Sequence, residues 1–462
     1  MKRDHLQREH APHQQTSDPS LLLGSMSTQV NHRSFFDSLP WQFTAPPQSH
    51  LGDHDVLGES NKLLGRSVAL MVCGGIAAMK APMIARSLRK AGAVVRVFAS
   101  QEALKYVTED TLAWSSNQEV ITSLSARAEH LGDGATFDAY LIAPATYNTI
   151  NKFSLGIADN LITATLASAL GKSERQECEI LIAPTMHGSM HNSILTDSLT
   201  RLRGLGVHMI KPREAYGKHN IPSEAHIVNE VSRAISRSPL KGKGILITGG
   251  PTPVKIDDVR RLTNKFTGRL SIAILEELHA RGAEARLLLG IGSHMPPEEL
   301  TPFVEWTHDY EGYLHRVCEL ANDPLCYAGI FSAAVADYQP DSFTTGKIES
   351  GQTALQISLK PTIKVIDEVK RQAPHLKMVT FKYQEGISHD QLMEIAERRL
   401  DRFDAVFANR GEERGPRGEQ VGWLCKRGAE AVKITGKRSI AAKIADYLET
   451  EATLQAARQG DE

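Results

Sequence analysis

No apolar run in these 462 residues approaches the roughly 20 that a membrane-crossing helix needs. Cysteine is scarce: Cys73, Cys178, Cys318, Cys326 and Cys425 stand in no paired spacing, which argues against a disulfide framework and a zinc ribbon. Excess charge of one sign is missing too, with 53 Lys and Arg against 54 Asp and Glu. That balance removes the electrostatic reason to expect nucleic acid or an anionic membrane as partner. What remains is a soluble, globular composition, long enough for two or three domains, with the cytoplasm as the expected compartment.

The first 60 residues lack periodicity of any kind. "MKRDHLQREHAPHQQTSDPS" and "WQFTAPPQSHLGDHD" are rich in Gln, His, Pro, Ser and Asp, and no apolar h-region marks a secretory signal. Residues 1–60 are therefore expected to form a mobile tail.

From Ser67 onward strands and helices alternate. "SVALMVCGG", "VVRVFAS", "DAYLIAPA", "ECEILIAPT" and "GVHMIKP" read as strands separated by helical segments. After the basic, Pro/Gly-bearing stretch "SRSPLKGKG" (236–244) a second series starts: "GILITGGPT", "EARLLLGIG", "YAGIFSAAVADY", "LKMVTFKY" and "DAVFANRG". The alternation predicts an α/β fold, parallel sheets covered by helices on both faces, in two domains at 61–238 and 241–450. Ligands of such sheets lie at the carboxyl ends of the strands.

In the first half, "CGGIAAMK" (73–80) follows the first strand. Gly74 and Gly75 permit a tight turn, and free amides from there through Ile76 and Ala77 favour a phosphate. The stretch is not GxGxxG, and alone it reads equally well as a plain strand-to-helix turn. The next stretch, "APATYNTINKFSLGIADNLIT" (143–163), is more specific. Pro144, Ala145, Thr146, Asn148, Thr149, Gly156, Asp159, Asn160 and Leu161 resemble the paired "PASANT" and "GxxDNL" signatures of the flavin-dependent cysteine decarboxylases. The resemblance implies FMN at the carboxyl ends of a flavodoxin-like sheet, often between subunits of a trimer. The implied chemistry oxidises a cysteinyl thiol to a thioaldehyde, so that CO2 can leave from the adjacent carbon. The family register makes His130, eight residues before Asp138, the base.

"APTMHGSMH" (183–191) holds two methionines and two histidines. A metal site is disfavoured because His187 and His191 have no acidic or thiolate companion nearby in sequence. In the resemblance the stretch is the cofactor-side wall, with Met186 against the flavin. His187 stands where the family has a carboxylate-binding asparagine, and it too can donate a hydrogen bond. The lid cysteine of many family members is absent from "EAYGKHNIPSEAHIV" (214–228), which leaves Lys218, Tyr216 or water as proton donor.

In the second half, "ITGGPTPVKIDDVRRLTNKFTGRL" (247–270) resembles the phosphopantothenate–cysteine ligase signature through Gly250, Pro251, Thr252, Arg260, Asn264, Thr267 and Gly268, with Phe266 in place of a serine. "FSAAVADYQPDSFTTGKI" (331–348) adds Ala334, Asp337 and Lys347; "LKPTIKVIDEV" adds Lys360 and Lys364; "MVTFKY" adds Phe381. Gln384 and Arg410 replace acidic residues of the family pattern. The resemblance implies a Rossmann-like, dimeric ligase domain. Its substrates would be 4′-phosphopantothenate, cysteine and CTP, with Mg2+ carried by the phosphates instead of a dedicated metal cage. The carboxylate would attack the α-phosphate and the cysteine amine would then attack the acyl cytidylate, with Asn264 steadying the intermediate and Lys347 the phosphates. The expected product passes to the flavin half for decarboxylation to 4′-phosphopantetheine. Two other readings stay open: a ligase whose flavin half is scaffold or regulator, and a flavoprotein partner subunit without catalysis.

Overall fold

The computed structural model describes residues 45–46, 48–131, 137–351 and 353–460, so most of the expected tail lies outside the described residues. Leu51–Glu462 form one compact unit. Residues 45–46 and 48–50 are exposed and form neither helix nor strand.

The first sheet is parallel, in the order Val94–Ala99, Ser67–Val72, Ala139–Ala145, Glu179–Pro184, His208–Met209. Its central strands are near-continuous apolar runs because both faces are covered. Alternation within one strand shows this directly. Val68, Leu70 and Val72 pack with Ile84, Leu88 and Ile227 on one side, while Ala69, Met71 and Cys73 pack with Ile150 and Leu166 on the other. The helix Ala81–Lys90 buries Ile84, Ala85 and Leu88 and ends just before Gly92, whose φ of +98° favours glycine.

The second sheet has eight strands. Six run parallel in the order Val304–Thr307, Glu284–Gly290, Gly244–Gly249, Cys326–Phe331, Lys377–Gln384, Ala405–Arg410. Val421–Lys426 and Val432–Thr435 then add an antiparallel edge hairpin that the sequence pattern does not announce as strands. Among the described residues three smaller sheets decorate the strand ends. One joins Met186–His187 to the hairpin Lys218–Asn220 and Arg213–Ala215; the others pair Val254–Lys255 with Arg261–Leu262 and Tyr338–Pro340 with Leu359–Pro361.

The helix Glu224–Ala234, packed on the first sheet, lies against Arg269–Ala280 of the second series. Asn229 donates to Glu276 at 3.2 Å, and His279 Nε2 lies 2.9 Å from Glu230. Arg233 donates to the Ala283 carbonyl at 2.8 Å and pairs with Glu284 at 2.5 Å. Lys62 bonds Asn229 at 3.0 Å and pairs with Glu277 at 3.6 Å. Burial pushes the Glu230 carboxyl up, but the hydrogen bond and charge of His279 outweigh it and hold it low.

Candidate active sites

A cavity of about 1330 Å³ opens at the carboxyl ends of the first sheet. Gly74, Gly75, Ile76, Ala77, Pro144, Thr146, Asn148, Asp159, Asn160, Met186 and His187 all line it; Ala145 is buried behind it. A Cβ on Gly74 would stand 2.3 Å from that of Glu102, so only glycine fits there. The turn after it is tighter than expected: Ile76–Lys80 is a 3₁₀ segment, and the α-helix starts at Ala81.

Much of the "GxxDNL" signature holds the backbone. Asn160 caps the helix Leu161–Glu174 in a capping box, accepting from Thr163 N at 3.1 Å. Asp159 pairs with Lys152 at 2.6 Å, and that hydrogen bond lowers its pKa. Thr146 caps the helix Tyr147–Ser154, whose first amides lie at the cavity edge. The amides at this edge suit a phosphate, and the Met186, Met190, Ile76 and Leu124 wall suits a planar heteroaromatic ring. A flavin mononucleotide fits both.

His187 Nδ1 accepts from Ser189 N at 3.2 Å and lies 2.8 Å from Ser189 Oγ. A ring nitrogen that accepts from a backbone N–H carries no proton, which leaves Nε2–H free to donate. His219, another lining residue, is 2.8 Å from His191 through Nε2, and its Nδ1 is buried, so neither nitrogen is offered to a ligand. Lys218 lines the cavity, whereas Tyr216 stands 93% exposed at the hairpin tip. No thiol is among the lining residues; burial pushes the nearby Cys73 up to about 11. His130 is not brought into this cavity by its own chain. It sits in the turn Glu129–Leu131, with Nδ1 buried and without a hydrogen-bond partner among the described residues, next to 132–136, which lie outside them.

A second cavity, about 1060 Å³, opens at the carboxyl ends of the second sheet. Gly250, Asn264, Thr267, Gly268, Ala334, Asp337, Lys364 and Phe381 line it. Gly250 has φ +73°, and a Cβ there would stand 1.9 Å from Ser293 Oγ. Gly268 begins the helix Arg269–Ala280 without a side-chain cap, so the first amides of that helix remain available to an anion. Asn264 Nδ2 donates to the Ala334 carbonyl at 2.9 Å, which leaves its second N–H uncommitted by that bond. Phe266, the serine replacement, packs edge-on against Tyr383.

The remaining signature residues lie behind or beside the cavity. Thr252 is buried and accepts from Ala336 N at 2.9 Å; Pro251 bridges to Ala334. Arg260 donates to Asp257 at 2.6 Å and to the Ile348 carbonyl at 3.1 Å. Burial pushes Asp257 up, yet the amides of Ile348, Arg260 and Val259 and the Arg260 guanidinium hold it at about 2. This carboxylate therefore fixes the segment that carries Lys347, which is itself exposed and outside the lining. Lys360 pairs with Asp341 at 3.5 Å, also outside. Arg410, which replaces an acid of the family pattern, pairs with Glu413 at 3.0 Å and donates to the Ile387 carbonyl at 2.6 Å.

Sequence reading missed six cations that line this cavity: Arg269, Lys382, Arg398, Arg399, Arg402 and Lys437. Only the run "ERRLDR", three arginines at a helix end, carried a local signal. A third cleft, about 1150 Å³, lies at the helix interface. Its Lys62, Arg66, Lys90 and Arg281 are already paired, so it receives no ligand assignment.

The flavoprotein family matches residues 57–236, and the family described as DNA/pantothenate metabolism flavoprotein C-terminal domain matches residues 240–451. The coenzyme A biosynthesis bifunctional protein CoaBC of Thermococcus kodakarensis is 31% identical over 398 residues, covering 85% of this chain and 96% of its own. The CoaBC protein of Bacillus subtilis is 30% identical over 357 residues, covering 73% and 85%. A solved DNA/pantothenate metabolism flavoprotein from Streptococcus pneumoniae aligns with TM-score 0.41 at 24% identity, over 46% of this chain and all of its own.

Proposed function

Because this chain belongs to the family of coenzyme A biosynthesis bifunctional proteins, we propose that its two cavities are the decarboxylase and ligase sites of one enzyme. The chain is a flavoprotein that combines both activities. The catalytic halves are 61–238 and 241–450. The observation that carries the reading is that most residues of each set of motifs line one cavity at the carboxyl ends of their own sheet.

In the first cavity FMN is the flavin we assign. When bound it supplies the two-electron oxidation and re-reduction that make loss of CO2 from the cysteinyl moiety possible. His187 holds the substrate carboxylate through Nε2–H. His130, remote from its own chain's cavity, serves as base in a neighbouring subunit's site, in keeping with the trimer expected of this half. Lys218 is the lid-borne proton donor we favour, since Tyr216 sits on the exposed tip.

In the second cavity the helix start at Gly268 and the loop at Gly250 cradle phosphate. Asn264 steadies the acyl intermediate with its free N–H. Lys347 closes on the nucleotide from the segment anchored by Asp257, in a dimeric ligase. CTP is the nucleotide, Mg2+ arrives on its phosphates, and the compartment is the cytoplasm.

The test is to supply purified protein with phosphopantothenate, cysteine, CTP and Mg2+ and to follow pyrophosphate and CO2. Release of both supports the reading. Pyrophosphate without CO2 makes the flavin half a scaffold, and neither product makes the chain a non-catalytic subunit. His130→Asn should keep flavin and release no CO2.

A further inference from the structure

Lys382 stands near the carboxyl end of the strand Lys377–Gln384, half-buried in the wall of the ligase cavity. The cations around it differ in how they are answered. Lys364 is bonded to Asp337, and Arg402 pairs with Asp367 at 3.1 Å. Among the described residues neither Lys382 nor Arg399 makes a salt bridge; Asp337 and Asp367 act on them only at longer range, and each is already bonded to another cation. Two buried polar atoms beside them are also unsatisfied: Arg399 Nε, and Oγ1 of Thr380, a lining residue that is wholly buried. Thr380 lies two residues before Lys382, on the same face of the strand.

Unpaired positive charge in a half-buried wall is costly unless a ligand answers it. Burial already holds both Lys382 and Arg399 below their ordinary pKa ranges. A monophosphate could be met by the free amides at Gly268 alone, whereas a triphosphate carries more charge than one helix start neutralises. We propose that Lys382, with Arg399, is a phosphate-binding residue of the ligase half that grips the pyrophosphate end of the nucleoside triphosphate. This rests on the ligase reading above. When the substrate carboxylate oxygen bonds to the α-phosphorus, the bond from that phosphorus to the bridging oxygen breaks. The electron pair stays on the departing pyrophosphate, and the Lys382 ammonium meets the charge that develops there.

The test uses full-length holoprotein and steady-state pyrophosphate release, varying CTP and phosphopantothenate separately. Lys382→Met should raise the nucleotide KM about tenfold or more, the size of one charge-assisted hydrogen bond. It should leave the phosphopantothenate KM within about twofold and flatten the dependence of the nucleotide KM on ionic strength. Lys382→Arg should restore most of the loss, and Arg399→Met should behave like Lys382→Met. Flavin content and CO2 release from supplied phosphopantothenoyl-cysteine should stay at wild-type levels in all three, which reports intact folding. An unchanged nucleotide KM in Lys382→Met, or a rise confined to the phosphopantothenate KM, overturns the assignment while the ligase reading stands. Wild-type protein that releases no pyrophosphate sinks the reading and the assignment together.

Discussion

The amide of Ser189 donates to Nδ1 of His187 and so leaves the ring's proton on Nε2, at the edge of the flavin cavity. A neutral imidazole locked in that tautomer can do what the family asparagine's amide does, which is to donate one hydrogen bond to a carboxylate. Removing such a donor costs about 100-fold in turnover where the bond tightens in the transition state. His187→Ala should therefore lose CO2 release by about that factor while the purified protein stays yellow, and His187→Asn should recover part of it. A yellow, fully active His187→Ala protein would assign the carboxylate to another donor. The sequence singled out His187 because the family resemblance runs through one local stretch, 183–191, and the structure places that residue in the cavity lining. Lys382 and Lys437 had no such mark. They come from separate elements and read, one at a time, as solvated surface charges.

At the scale of elements, the hairpin 213–220 and the arm around Asp257 both depend on close backbone approach. A Cβ on Gly188 would stand 2.2 Å from the Gly217 carbonyl oxygen, which accepts the Gly188 N–H at 3.0 Å. Gly188→Ala should displace the hairpin and cost about 1–3 kcal/mol in a denaturant melt. CO2 release should fall sharply while pyrophosphate release continues. The Asp257 arm carries a pH signature. Its folded pKa, about 2, lies below the ordinary 3.8, so its contribution is fully present above about pH 4 and is lost as pH falls toward 2. Wild-type Tm should drop through that window more steeply than that of Asp257→Asn, which should already melt lower at pH 7. The parallel arrangement of the strands was readable from the βα alternation, since a parallel sheet needs crossover connections, but their order was not. The antiparallel hairpin at 421–435 was not read either, because its second strand, Val432–Thr435, is short and mostly exposed, with the charged turn "KRGAE" before it. The same holds for the "GxxDNL" stretch, where a capping box and a ligand contact look alike in letters.

For the whole molecule, the helices Glu224–Ala234 and Arg269–Ala280 matter most, because each starts at one cavity and the two pack together between the sheets. Acid should loosen that contact. Burial lowers the pKa of His226, which faces Glu230, Glu299, His279 and Lys211, so its neutral form favours the packed state above about pH 6.5 and opposes it below. Glu230, held low beside His279, withdraws its support as pH falls further. Fragments 51–236 and 240–462 made as separate chains should thus co-elute at pH 7.5 and separate progressively toward pH 5. Arg233→Ala combined with Lys62→Ala should separate them at neutral pH. If the fragments never associate, the contact is too weak to stand without the covalent link. If they do, the peptide at 236–240 acts chiefly as a tether: it sets an effective concentration, in the millimolar range for a short link, at which two already complementary surfaces meet. Splitting the gene at that point would then change the dose at which the halves find each other, not the architecture they build.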